Sequence, residues 1–239
     1  MHQTIQIEKK NTLMVAHRGV SKLERENTCA AFVAAGNRSY FGVETDIHRT
    51  SDGQFVVFHD DSTKRLTEEN WIVEECSLDQ LRSLKLKDMD GNIRGDLIMP
   101  TLQEYVRICK KYEKTAVLEL KNLFQPEDIR TIVEIVRTEQ WLERTVFISF
   151  KLDNLICLRG LLPNQPLQYL VRALTQPTVE ALADYCLDLD IEHSALTADQ
   201  VAQVHAMGRL VNVWTVDDPQ IAAQLIEMGV DYITTNILE

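Results

Sequence analysis

Two acidic strand-like motifs and two histidines at the ends of apolar runs are the features of this sequence most able to do chemistry. In Val43-Glu44-Thr45-Asp46-Ile47-His48, the period-two alternation of a strand puts Glu44, Asp46 and His48 on one face. Val43, Thr45 and Ile47 share the other. Thr115–Lys121 repeats the pattern, with Val117, Glu119 and Lys121 opposite Ala116, Leu118 and Leu120. If the apolar sets meet surrounding helices, three carboxylates point into a common interior, where an unpaired carboxylate is costly. A bound cation is the simplest compensation. An all-oxygen set of Glu44, Asp46 and Glu119 suits one hard divalent ion, Mg2+ or Ca2+. The alternatives are an acidic pair on a solvated edge strand and a buried Glu119–Lys121 ion pair without metal.

His17 closes the run Leu-Met-Val-Ala-His, and His59 closes Phe-Val-Val-Phe-His. Two imidazoles titrating near neutrality can divide general-base and general-acid duty. Arg18 and Lys121 supply positive charge beside the carboxylates, Arg18 with a fork suited to phosphate. Asn27, ahead of the helical run from Cys29, is a candidate N-cap that would aim helix amides at the mouth, the alternatives being capping alone and contact with a ligand. Phe150 and Trp214 end two apolar runs, where they either pack against the carbon chain of a ligand or fill the core. The alternation Asp188-x-Asp190-x-Glu192 has no basic partner beside it except His193 and is set aside as a second acidic site. His2, His193 and His205 lack ligand spacing and are expected at the surface.

These residues need elements to position them. Strand-like runs fall at 13–17, 43–48, 55–59, 115–121, 146–150, 167–171, 187–191, 210–216 and 232–235. Helical periodicity alternates with them near 28–37, 101–113, 127–139, 152–161, 176–185, 197–207 and 218–228. Such alternation predicts βαβ units and a parallel sheet. The second and third runs are joined by only Arg49–Gln54, far short of the roughly dozen residues a parallel crossover needs. They are expected to form an antiparallel hairpin. The fold class predicted is therefore α/β, a distorted (β/α)8 TIM barrel forming a single domain over residues 1–239. Residues 60–100, charged and without clear periodicity, are expected to form a small cap-like insertion within it. Functional groups then belong at the C-terminal strand ends, where His17 and His59 lie.

Bulk properties agree. A chain of 239 residues is near the roughly 250 typical of such a barrel. With 45% hydrophobic and 26% charged residues, the composition is that of a globular domain and not of a disordered chain. A net charge of −11 argues against nucleic-acid partners and against insertion into anionic membranes. It also repels an anionic substrate, so a phosphate site requires local cations. Five widely spaced cysteines without a CxxC pair fit free thiols in a reducing compartment. No leader or membrane-spanning stretch is visible, so a cytoplasmic location is expected. Homodimerisation is left open.

Taken together, His17-Arg18-Gly19, Glu26-Asn27-Thr28, Glu44-x-Asp46, Asp52-Gly53, His59-Asp60, Arg65-Leu66-Thr67, Pro100-Thr101-Leu102, Glu119-x-Lys121, Ser149-Phe150 and Val213-Trp214-Thr215-Val216 resemble the glycerophosphodiester phosphodiesterase family, in its order. The resemblance implies a distorted barrel, with Glu44, Asp46 and Glu119 holding the divalent ion. It implies His17 and His59 as the acid–base pair, and Arg18 and Lys121 on the phosphate. The implied substrate is a small glycerophosphodiester, cleaved to sn-glycerol 3-phosphate and an alcohol by water or by the glycerol 2-hydroxyl. Related readings are a superfamily phosphodiesterase acting on a lipid headgroup and a non-catalytic binder of metal or sugar phosphate. One departure is the C-terminus: many relatives carry aspartate and proline after the last strand, where this chain reads Thr235-Asn236-Ile237-Leu238.

Overall fold

A computed structural model describes residues 3–239. His2 lies outside them. The strands are β1 (Leu13–Ala16), β2 (Gly42–Arg49), β3 (Phe55–Val57), β4 (Thr115–Leu120), β5 (Thr145–Ser149), β6 (Leu167–Val171), β7 (Asp188–Glu192), β8 (Val211–Trp214) and β9 (Tyr232–Thr235). The helices are α1 (Cys29–Gly36), α2 (Leu78–Ser83), α3 (Leu102–Lys111), α4 (Pro126–Thr138), α5 (Leu152–Leu161), α6 (Gln176–Asp184), α7 (Ala198–Ala206) and α8 (Pro219–Met228). All strands but β3 pair in parallel, in the order β1-β9-β8-β7-β6-β5-β4-β2, and β1 pairs again with β2. The ring is a closed eight-stranded TIM barrel. β3 is the ninth strand, antiparallel to β2 through Ile47–Val57 and Arg49–Phe55. The short Arg49–Gln54 connection dictates that arrangement, as the sequence predicts.

Strand parity divides the apolar residues into two cores. Val43, Ile47, Ala116, Leu118, Leu120, Phe147, Leu189, Ile191, Val211 and Val213 face outward and pack on the helices. Val15, Val117, Val146, Ile148 and Leu170 face inward, with Phe41, Phe150, Trp214 and Tyr232 beside them. Glu44, Asp46 and Glu119 have the inward parity and are 3%, 1% and 7% exposed. They are therefore not on a solvated edge strand.

The helices start where hydrogen-bonding caps allow. Thr101 with Glu104 and Thr197 with Gln200 form capping boxes, and Asp218 caps α8 ahead of Pro219. Asn27 is not a cap, contrary to expectation. Thr28 takes that role, accepting from Ala31 N, because Asn27 sits in a left-handed conformation at φ 55° with its amide turned to β2. Residues 58–100 contain α2 and two short 3-10 turns, and their side chains Phe58, Leu66, Val73, Leu81, Leu86, Leu97 and Met99 form a separate apolar cluster with Val56 of β3. Their periodicity is hard to see because the elements are only three to six residues long. Arg25 donates to the Lys87 and Asp88 carbonyls, tying this segment to the loop before α1. His205 is exposed and pairs with Asp231 at 2.8 Å, and His193 is half-buried in a 3-10 turn.

Candidate active site

His17 follows the last residue of β1, and its backbone N–H bonds to Thr235 at the end of β9. Arg18 then takes φ 54° and Gly19 φ 78°. A Cβ on Gly19 would lie 2.6 Å from Ala31 backbone and side-chain atoms. Glycine is thus required for the turn to seat against α1. That turn points the Arg18 amide at Glu44 Oε2, 2.8 Å away.

Glu44, Asp46 and Glu119 each offer a carboxylate oxygen, and these lie within 4.8 Å of one another. Register explains the convergence, since Asp46 and Glu119 are direct partners across β2 and β4. Lys121 Nζ lies 3.3 Å from Asp46 Oδ1 and 3.0 Å from Glu119 Oε1. Glu119 Oε1 nevertheless accepts no well-aligned hydrogen bond. The sequence alternative of a Glu119–Lys121 ion pair is therefore present, inside a three-carboxylate cluster. Asn27 Nδ2 donates to Asp46 Oδ2 at 2.7 Å, while Thr45 holds the other end of that amide.

The electrostatics reflect crowding. Burial and the Asp46 and Glu119 charges push the Glu44 carboxyl well above its ordinary range. Burial and Asp46 raise Glu119 to about 7 against the pull of Lys121. Burial acts the same way on Asp46, but Lys121 and Arg18 outweigh it and hold that group low. A buried cluster that cannot ionise fully by itself, with an unsatisfied oxygen and hard donors only, fits a divalent cation.

The two histidines have different partners. His17 Nδ1 meets Asn236 Oδ1 at 2.8 Å. Asn236 gives its side-chain and backbone N–H groups to Asp217, each at 2.8 Å, and Asp217 pairs with Lys22. Burial and the adjacent Arg18 charge lower His17 to about 4. His59 Nδ1 meets a carboxylate, Asp60 Oδ1, at 2.6 Å. Burial depresses His59 too, while Asp46 and Asp60 pull the other way. Behind His59 runs a string of alternating charge. Asp60 bonds Arg65, Arg65 bonds Glu26 at 2.7 Å, and Glu26 bonds Arg18 Nη1 at 2.8 Å.

His17, Arg18, Glu44, His59, Glu119 and Lys121 line one cavity of about 440 Å³, together with Phe150 and Trp214. Other surface pockets have similar volumes, but none combines histidines with these acids. Phe150 and Trp214 pack edge to face at 5.6 Å. Every site residue expected from the sequence is brought to this cavity except Asp46, which sits behind it, buried beneath Lys121 and Asn27. Asn236, Asp217, Arg172 and Asp190 also belong to the site or its support. Asp190, set aside in the sequence, lines the same cavity, so the β7 acids form no second centre.

Comparisons with known proteins agree along most of the chain. The family model described as Glycerophosphoryl diester phosphodiesterase family matches residues 17–239. A glycerophosphodiester phosphodiesterase of Caldanaerobacter subterraneus is 27% identical over 228 residues, covering 94% of each chain. The structure of an Oleispira antarctica phosphodiesterase in complex with the product sn-glycerol-3-phosphate superposes with a TM-score of 0.86 at 28% identity, over 94% of this chain and 92% of that one. A glycerophosphodiester phosphodiesterase structure from Parabacteroides distasonis gives 0.81 at 30% identity, over 96% and 94%.

Proposed function

The chain belongs to the glycerophosphoryl diester phosphodiesterase family, and we propose that it hydrolyses small glycerophosphodiesters to sn-glycerol 3-phosphate and an alcohol, with a divalent cation and two histidines. The observation that carries this reading is the placement of His17, His59, Arg18 and Lys121 around one cavity that also holds Glu44 and Glu119. The product-bound Oleispira antarctica relative supports the substrate class.

Glu44, Asp46 and Glu119 would hold Mg2+ or Ca2+. When bound, that ion supplies charge stabilisation for the phosphate oxygens in the transition state. Arg18 and Lys121 bind the remaining phosphate charge. Lys121 lines the cavity beside Asp46 and Glu119, which places its ammonium where a substrate phosphate would meet it.

Asp217 holds both N–H groups of Asn236, which fixes the face Asn236 turns to His17. An oxygen facing Nδ1 selects the Nδ1–H tautomer and leaves Nε2 as an acceptor. His17 is therefore the base. Nε2 takes the proton of the nucleophile, water or the substrate hydroxyl, as its oxygen bonds to phosphorus. His59, supported by the Asp60 carboxylate, is the acid. It gives its Nε2 proton to the alcohol oxygen as the P–O bond breaks.

We assign residues 1–239 to one catalytic domain, with 60–100 as a cap that carries Arg65 to the His59 partner. Among the described residues no helix is long and apolar enough to cross a membrane. All five cysteines are free, which supports a reducing, cytoplasmic setting. The test is alcohol release from a panel of glycerophosphodiesters, with chelator and then Mg2+ or Ca2+ restored. Turnover that is lost and regained is expected. Absence of turnover on every diester, with the metal present, would sink the reading in favour of a binding protein.

A further inference from the structure

His48 shares the parity of Glu44 and Asp46 on β2, yet it does not line the cavity. Its side chain is fully buried, and its Nε2 lies 3.3 Å from the His59 carbonyl oxygen. A carbonyl can only accept, so Nε2 carries a hydrogen and donates it. His59 stands beyond the end of β3, where the β2–β3 ladder no longer reaches its backbone. β2 therefore holds this stretch at two points. The Asp46 carbonyl accepts from Phe58 N at 3.1 Å, and the His48 ring donates to His59.

The ring is itself held. Nδ1 faces Glu74 Oε1 at 3.3 Å and Asn122 Nδ2 at 3.4 Å. Asn122 donates to the same Glu74 oxygen at 2.8 Å. The Asn122 carbonyl accepts from Asn154 Nδ2, also at 2.8 Å, and Asn154 is buried. Either charge state of the ring leaves the Nε2 hydrogen in place, because a neutral Nδ1 accepts from Asn122 and a protonated one donates to Glu74. Glu74 belongs to the insertion after His59, and Asn122 follows Lys121 directly. The ends of β2 and β4 and the insertion thus meet at His48, behind His59.

We infer that His48 is a positioning residue for the phosphodiester chemistry: clamped by Glu74 and Asn122, it fixes the backbone at His59 and so the direction in which that imidazole meets the substrate. This rests on the phosphodiesterase reading and adds to it a residue outside the cavity. The carbonyl that His48 holds belongs to the planar peptide linking His59 to Asp60. Asp60 Oδ1 in turn meets His59 Nδ1 at 2.6 Å. One hydrogen bond therefore sets both the imidazole and the carboxylate that supports it. Small errors of aim are expensive, since a displacement of about 1 Å can cost on the order of 10²-fold in rate.

The test is a double-mutant cycle on alcohol release from the glycerophosphodiester that the wild type turns over fastest, with the metal at saturation. His48→Leu removes the donor at similar size. It is expected to lower kcat roughly 10- to 100-fold, by analogy with removal of groups that orient an imidazole, and to leave KM within about twofold. In the His59→Ala background the same substitution should cost less than about twofold, since a residue acting through His59 has nothing left to act on. His48→Gln keeps an N–H donor and should recover most of the lost kcat. An equal loss in both backgrounds, or no loss in either, overturns the inference. If His48→Leu fails to fold, Glu74→Ala carries the same cycle, because Glu74 is only half-buried. Its kcat loss should be smaller than that of a missing donor and should likewise vanish without His59. A wild type that releases no alcohol from any glycerophosphodiester is a different result, which sinks the phosphodiesterase reading and this inference with it.

Discussion

The two halves of the barrel do opposite things with buried polarity. The wall built by β1, β2 and β4 crowds three carboxylates, an arginine and a lysine into contact. The wall built by β5 to β8 is Ile148, Phe150, Leu170 and Trp214, with a single buried acid among them. On the first wall charge is tolerated because each group is answered by another, and the surplus negative charge is what a cation would neutralise. On the second wall apolar side chains dominate the lining. On the proposed function, the difference would separate the work, with groups that change charge during reaction on one side and groups that grip an unreactive skeleton on the other.

If that division is real, damage to the first wall should appear in kcat and in metal response, and damage to the second in KM. The largest effect is expected from Glu119→Ala. It should bind metal weakly and lose roughly three orders of magnitude in turnover, since a catalytic ion is worth several kcal/mol at the transition state. Partial rescue at high metal is expected, and an unchanged metal dependence would remove Glu119 from the ligand set. The same wall makes a prediction about pH. Glu44 and Glu119 sit above their ordinary values, Glu119 at about 7 against 4.5. Stability linked to these groups is full below the ordinary value and is lost as pH rises through about 7. A bound cation offsets that loss. The gain in Tm on adding Mg2+ or Ca2+ should therefore be greater at pH 8 than at pH 5, and an equal gain at both would contradict the cluster's role.

Next in size are His17→Ala and His59→Ala, each expected to lose about 10²–10⁴-fold in kcat with little change in substrate binding. The double variant should lose less than the sum of the two, because residues acting as a unit are not additive. Circular dichroism melts distinguish this from simple unfolding. If His59→Ala melts early but keeps wild-type turnover per folded molecule, the acid–base assignment is wrong.

A smaller loss, roughly 10- to 100-fold in kcat, is expected for Asn236→Leu, by analogy with removal of a partner that orients a catalytic imidazole. Asn236→Asp should keep activity but raise the His17 pKa from about 4, because a carboxylate favours the imidazolium. The acid limb of the pH–rate profile should move upward. A profile that does not move would mean Asn236 leaves His17 unguided. The smallest effect belongs to the second wall. Phe150→Ala should raise KM roughly tenfold through lost apolar contact and leave kcat nearly level. A kcat loss larger than the KM change would erase the division.

How much of this was legible in the sequence follows the same split. Strand period exposed Glu44, Asp46 and Glu119 directly, because an acid on an inward face breaks an otherwise apolar pattern. The β2–β3 hairpin was forced by a connection too short for a crossover. The partner of His59 is its neighbour Asp60, but the partners of His17 were invisible. Asn236 and Asp217 lie 219 and 200 positions from His17, and only closure of β9 onto β1 brings them near. Asn27 was placed at a helix cap because its type and position suit one, and its left-handed backbone, set by the Arg18–Gly19 turn, could not be read. Asp190 was set aside because only His193 stands near it in sequence, and its place on the cavity wall emerges only when the barrel closes.

The alternating string from His59 through Asp60, Arg65, Glu26 and Arg18 to Asp46 has a consequence for how substrate arrives. Each cation in it is answered by a carboxylate within ion-pair distance, so little attractive potential reaches past the mouth. Outside lies a molecule carrying −11. An anionic diester therefore drifts toward this mouth uphill and feels attraction only after entering. Enzymes that steer a charged substrate slow down as salt is added. Here added salt, with a screening length of about 10 Å at 0.1 M, hides the exterior charge more than the buried contacts. Capture, read as kcat/KM, should quicken with moderate salt while kcat holds steady.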